Sequence, residues 1–186
     1  MDKDAISAGV SKIGGLFSTA EVRVLICYIL SAINEPIPGT LLGEVLHYEG
    51  IANIFEVSDS LASLAKTGHI METDKGDGSF VVTDKGRDIV MALKTSLSLV
   101  VKERAYAAVT RMLARYKNAQ ETEFNITKEG ERMYLTCTAL DKEFPFMSIK
   151  LLVADEDQAR YIKEKFLDNA SEIYSKLIEM LTRKDT

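Results

Sequence analysis

Apolar residues recur along the first half of the chain at spacings of three and four, broken at short intervals by glycine and proline. The segment AEVRVLICYILSAI, residues 20–33, follows Ser18-Thr19, either of which can cap a helix, and stops before Asn34-Glu35-Pro36. It is apolar on most sides and therefore reads as a largely buried helix. Pro36 and Pro38 make a rigid connection. Thr40 is placed to cap a short second helix with Leu41, Leu42, Val45 and Leu46 on its apolar side, and Gly50 ends it. A third helix is expected from about Ile54 to Thr67, with Val57, Leu61 and Leu64 spaced four and three apart on one face. Gly68 is a natural left-handed cap, and Ile70 follows as the hydrophobic contact beyond the end.

The pattern then shortens. Ile70-Met71 and Phe80-Val81-Val82 can pair as short strands around Asp74-Lys75-Gly76-Asp77-Gly78. Thr83 caps a fourth helix running to about Leu93, with Ile89, Val90 and Leu93 turned inward. Three helices, a hairpin and a closing helix in this order predict a winged helix-turn-helix domain over residues 1–94. LASLAKTGHI, a short wing and VVTDKGRDIV resemble the middle of many bacterial winged-helix regulators, including the PadR-like and MarR-like families. In those proteins a leucine-rich third helix ends in Gly and an apolar residue, and Thr-x-Lys-Gly follows the wing.

Residues 95–186 change character. SLSLVVKERAYAAVTRMLARYKN, residues 96–118, carries Leu97, Val101, Ala105, Ala108 and Met112 at helical spacing and predicts one long amphipathic helix. EFNIT, RMYLTCTAL and FPFMSIKLLV read as three strands, with Phe124/Ile126 and Met147/Ile149/Leu151/Val153 alternating. Lys128-Glu129-Gly130-Glu131 and Asp141-Lys142-Glu143 supply the turns of an antiparallel meander. A last helix starts at Asp155 with a capping box reaching Gln158. Its stripe of Ala159, Ile162, Phe166, Ala170, Ile173, Leu177 and Leu181 would cover one sheet face. The expected fold class is α+β: a winged helix-turn-helix followed by a small α-β-β-β-α dimerisation or sensing domain. The whole order, including the closing DNASEIYSKLIEMLT, resembles an uncharacterised winged-helix family of anaerobic Gram-positive bacteria, a domain of unknown function. The resemblance covers nearly the full chain and implies a transcriptional regulator, with no ligand or operator attached.

Composition narrows the class. The chain has 186 residues, 46% hydrophobic and 27% charged, enough to bury a core. No apolar run approaches the roughly 18–20 residues needed to cross a bilayer, and MDKDAIS lacks the basic start of a secretory signal. Cys27 and Cys137 stand in apolar surroundings outside any CxxC or metal-ligand spacing, as reduced core residues of a cytoplasmic protein do. Candidate chemistry is sparse. His47 and His69 have no ligand-spaced partner, Asp155-Glu156-Asp157 fits a helix start, and GDGS is too short to cradle a phosphate. No enzyme, metal or cofactor is expected.

A DNA reading turns on the third helix. At about 100° per residue, Glu56, Asp59, Ser63 and Lys66 point away from the Val57/Leu61/Leu64 stripe, where a major groove would lie. Lys75 on the wing and Lys85 and Arg87 just after it are the candidate phosphate contacts. Charge opposes this reading: residues 1–94 hold 8 Lys/Arg against 13 Asp/Glu, whereas the remainder holds 15 of each. The long helix is locally basic, with Lys102, Arg104, Arg111, Arg115 and Lys117 against Glu103, and could supply the missing positive surface. The expected function is a DNA-binding transcriptional regulator acting on double-stranded DNA, homodimeric through its C-terminal half, with room for an unknown small-molecule effector. The rival is a winged-helix protein–protein module without direct DNA binding.

Overall fold

A computed structural model describes residues 18–74, 76–93 and 95–183. Helix α1, Thr19–Ile33, opens on a capping box: the Glu21 amide donates to Ser18 Oγ at 3.2 Å, and the Ser18 amide donates to Glu21 Oε2 at 3.1 Å. Val22, Leu25, Ile26, Cys27, Ile29 and Leu30 are all buried, so the helix runs through the core. Asn34, at φ 56°, turns the chain out of it.

Strand β1, Ile37–Pro38, replaces the rigid connection expected there. It pairs antiparallel with β3, Ser79–Val82, and β3 pairs with β2, Ile70–Glu72, giving a three-stranded sheet ordered β1-β3-β2. A proline fits this edge because it has no N–H to leave unpaired, and Ile37 is fully buried. A two-residue strand made of Ile37 and Pro38 carries no periodic signal, which hid it. Helix α2, Gly39–Tyr48, follows at once. Pro38 stands at its N-cap without a side-chain hydrogen bond, so Thr40 is a helical residue and not the cap. The Gly39 amide donates to Gly78 O at 3.0 Å, tying the helix start to the hairpin.

Helix α3, Ile54–Lys66, ends in a Schellman motif: Gly68 takes φ 74°, its amide donates to Ala65 O at 3.0 Å, and the His69 amide donates to Leu64 O at 2.9 Å. Helix α4, Asp84–Leu93, is joined to this end. Thr83 Oγ1 accepts from the Gly86 amide at 3.3 Å and donates towards Gly68 O and His69 O at 2.8 and 3.0 Å. Val90 is buried and Ile89 half-buried, but Leu93, expected to turn inward, is exposed; Leu97, expected on the long helix, is buried ahead of it.

Helix α5, Leu99–Gln120, buries Val101, Ala105, Ala108, Val109 and Leu113, whereas Met112 faces outward. The chain divides into two compact units between Leu113 and Ala114, inside α5, and not at the composition change near Thr95. The first half of α5 pairs with the N-terminal unit: Arg104 donates to Glu49 O, and Lys102 Nζ lies 5.8 Å from the Tyr28 ring centroid.

The second unit is an antiparallel meander of β4, Thr122–Glu129, β5, Arg132–Asp141, and β6, Phe144–Val153, with helix α6, Glu156–Thr182. Leu135, Cys137, Ala139 and Val153 pack with Ala159, Phe166 and Ala170 of α6, and Phe124 meets Phe166 edge-on at 6.0 Å. Asp155 caps α6 through the Gln158 amide at 2.7 Å, and the Gln158 side chain accepts from the Ala154 amide. The inward stripe holds only as far as Ile173. Asn169 leaves helical geometry at φ −135°, and beyond it Leu177 and Leu181 are exposed. A helix of 27 residues spans about 40 Å, whereas ten-residue strands span about 33 Å, so its end outruns the sheet.

Gly86 supplies the test of this packing. A Cβ there would lie 2.2 Å from His69 O and 2.7 Å from Val82 Cγ2, closer than any side chain tolerates. Gly86→Ala is expected to lower unfolding free energy by about 3 kcal/mol in urea titration. Gly50→Ala, at φ 63° with open space around it, should cost about 1 kcal/mol. Equal effects would refute the close-approach account.

Candidate nucleic-acid interface

Helix α3 presents its outer face because Val57, Ser60, Leu61 and Leu64 turn inward. The exposed stripe is Phe55, Ser58, Asp59, Ala62 and Lys66, with Phe55 75% exposed. Asp59 and Lys66 stand on it as the sequence predicts. Ser63 is half-buried, and its carbonyl accepts from both the amide and the hydroxyl of Thr67, at 3.0 and 2.7 Å. Phe55, Ser58 and Ala62 were not picked out from the sequence, because apolar and small residues on a helix read as core or filler. Their spacing of three and four along the side opposite Leu61 was the available signal.

Glu56 has a local task. Asn53 caps α3, its Oδ1 accepting from the Phe55 amide at 2.9 Å, and the Asn53 amide donates back to Glu56 Oε2 at 3.3 Å. The carboxylate, on an exposed residue, thus sits at the positive end of the helix dipole, which stabilises it there.

Lys85 and Arg87 are engaged too. Lys85 Nζ donates to Thr67 O at 2.8 Å, closing the last turn of α3. Arg87 donates to Asn34 Oδ1 at 3.0 Å and Ser31 Oγ at 3.5 Å, at the end of α1. Lys75 lies outside the described residues. The basic helix is similarly occupied: Arg104 and Arg111 approach Glu49 at 3.8 and 3.5 Å, and Arg115 binds Glu164 and Asp168. The positive surface expected from α5 is therefore largely matched by carboxylates of its own unit.

A groove of about 440 Å³ runs beside the stripe, between α2, α3 and the hairpin. Its walls include Thr40, Gly43, Ser58, Ala62 and Phe80, with Glu44 as their acid. Gly39 opens it: a Cβ there would come 2.9 Å from Phe80 Cε2. The exposed Thr40 brings the uncapped start of α2 to this groove, an arrangement able to donate to an anion. Among the described residues no group of three or more His, Cys, Asp or Glu converges to hold a metal. Burial pushes the Cys27 thiol up to about 11 and raises that of Cys137, which keeps both protonated and unreactive near neutral pH.

His69 lies at the junction, its Nδ1 2.7 Å from Thr67 Oγ1. Burial, and secondly the charge of Lys85, hold the ring below its ordinary 6.5. The unfolded chain then takes up the proton first, so the stability this site contributes is present above 6.5 and declines as pH falls through the depressed folded value. Urea midpoints between about pH 7.5 and 5 should fall less steeply in His69→Gln than in the native chain. An unchanged slope would show that the ring titrates alike in both states. Separately, Glu56→Ala should lower stability by about 1 kcal/mol through the lost cap, read from the same titrations at neutral pH.

Comparison with curated proteins and with solved structures finds no significant match to either. A family model described as a domain of unknown function, DUF4364, matches residues 22–181, from the first core residue of α1 to the penultimate residue of α6. That span takes in both units, and the chain belongs to the DUF4364 family.

Proposed function

We propose that the first unit is a winged helix and that the protein is a cytoplasmic, DNA-binding transcriptional regulator, with α3 as recognition helix and the β2–β3 hairpin as wing. The observation that carries the reading is the order α1-β1-α2-α3-β2-β3, closed by a sheet ordered β1-β3-β2 beside the exposed face of α3. A helix offered in this way fits the major groove, and a hairpin at its side reaches the adjacent backbone.

The chemistry available differs from that expected of the cations. Thr40 at the start of α2, where no side chain caps the helix, is the phosphate-facing donor, joined by Lys66 at the end of α3. Phe55 and Ala62 suit thymine methyl groups, Ser58 either donor or acceptor edges, and Asp59 the amino group of cytosine. Few phosphates are neutralised, so binding to random DNA is weak and discrimination falls on the base-facing stripe.

A protein-module reading is favoured by one observation: Tyr48 and Phe55 are 89% and 75% exposed near Glu44 and Asp59, a surface suited to a basic partner. Selection from genomic fragments at low salt separates the two. The regulator reading expects one enriched motif, loss of binding in Thr40→Glu across all sequences, and altered base preference in Asp59→Ala. Lys66→Ala should reduce the log–log salt slope by about one unit. No enriched motif from folded protein would sink the DNA reading.

A further inference from the structure

The sheet of the second unit has two edges of different character. β4 presents Glu123, Lys128 and Glu129, charges of the kind that keep an edge from pairing with another chain. β6 has Pro145 and a bulge at its start, but beyond them it presents MSIKLLV, residues 147–153, with a single charge, Lys150. That charge does not guard its own edge. The ammonium crosses the outer sheet face, lies 4.5 Å from the Tyr134 ring centroid and reaches Glu129 Oε1, on the opposite edge strand, at 2.6 Å.

Past the sheet, the end of α6 is uncovered as well, with Met180 75% and Leu181 80% exposed. Strand and helix meet along an apolar side. Phe146, the extra residue of a bulge in β6, meets Tyr174 edge-on at 5.1 Å, and an apolar cleft of about 360 Å³ continues between Leu151, Tyr161 and Leu177. At roughly 200 Å² for a large apolar side chain, the exposed parts of Phe144, Phe146, Tyr161, Met180 and Leu181 come to about 700 Å². Spread over β6 and along α6, that area approaches the roughly 800 Å² per partner of a stable interface.

We propose that a second copy of this chain covers the patch. β6 pairs antiparallel with its counterpart about a two-fold axis, extending three strands to six, and the ends of the two α6 helices pack beside the seam. A two-fold contact requires only one self-complementary surface, and here the edge and the apolar patch lie together. Both signs occur along this side, with Lys165 lining the cleft and Glu172, Lys176, Glu179 and Arg183 further along α6, so a partner of one strong charge finds no complement. The proposal stands apart from the DNA reading, and its test contains no DNA.

The full chain at tens of micromolar should sediment at twice 20.6 kDa. Leu152→Lys and Leu181→Glu alter exposed side chains, and each should weaken the dimer by about tenfold or more. Together they should give a 20.6 kDa species with unchanged far-ultraviolet circular dichroism. Glu123→Gln, on the β4 edge, should leave the dimer intact. Alternate amides of residues 147–153 should be protected from hydrogen exchange in the native chain and exchange in the double variant. A native monomer overturns the proposal. So does a dimer indifferent to both substitutions, or one whose β6 amides exchange as fast as those of the double variant.

Discussion

The first unit depends on a junction of a few residues where the end of α3, the base of the hairpin and the start of α4 meet. Thr83 accepts from the first turn of α4 while donating to the carbonyls of Gly68 and His69, and Lys85 reaches back to Thr67 O. Each bond satisfies a backbone group that a helix end would otherwise leave open, at the point where two helices and a strand must share space. Gly86 permits the contact because no side chain fits against His69 O. The direction of the hairpin relative to α3 is thus fixed by hydrogen bonds, with Ile70 and Val82 as the buried apolar pair at its base.

That junction also decides which cations are free. A lysine that caps Thr67 and an arginine that binds Asn34 can still touch solvent, but moving to a phosphate costs them an existing partner. The same holds for Arg104, Arg111 and Arg115, whose partners Glu49, Glu164 and Asp168 offset charge that the linear sequence displays as a basic helix. Net charge along a segment says how many ions are present; the fold determines how many remain uncompensated.

The elements legible in the sequence are those whose signal is local. Ser18 before α1, Asn53 and Gly68 around α3, Thr83 before α4 and Asp155 before α6 mark boundaries by their own hydrogen-bonding chemistry. The alternating meander is equally plain, since Leu135, Cys137 and Ala139 must face one side of β5. What escaped depends on tertiary partners. β1 exists only because β3 lies beside it, and Leu181 continues an apolar stripe past the sheet that would have covered it. For the candidate interface, the sequence pointed to α3 with Asp59 and Lys66 outward, but it read Ser63 as outward where it is half-buried, took Thr40 for a cap and passed over Phe55, Ser58 and Ala62. Nothing in composition separates an exposed alanine from a buried one.

The two proposals bear on each other through valency. A reader with few free cations forgoes much of the sequence-independent affinity that phosphate contacts supply, and it loses this on specific and random sites alike. Discrimination is kept while absolute affinity falls. Two linked copies restore affinity without new cations, because the second recognition helix binds at the effective concentration set by the first. A palindromic site then gains from both halves, whereas random DNA gains little from either. On the two proposals together, an acidic winged helix would be a weak reader alone and a discriminating one in pairs, with residues 147–153 of β6 as the surface through which pairs would form.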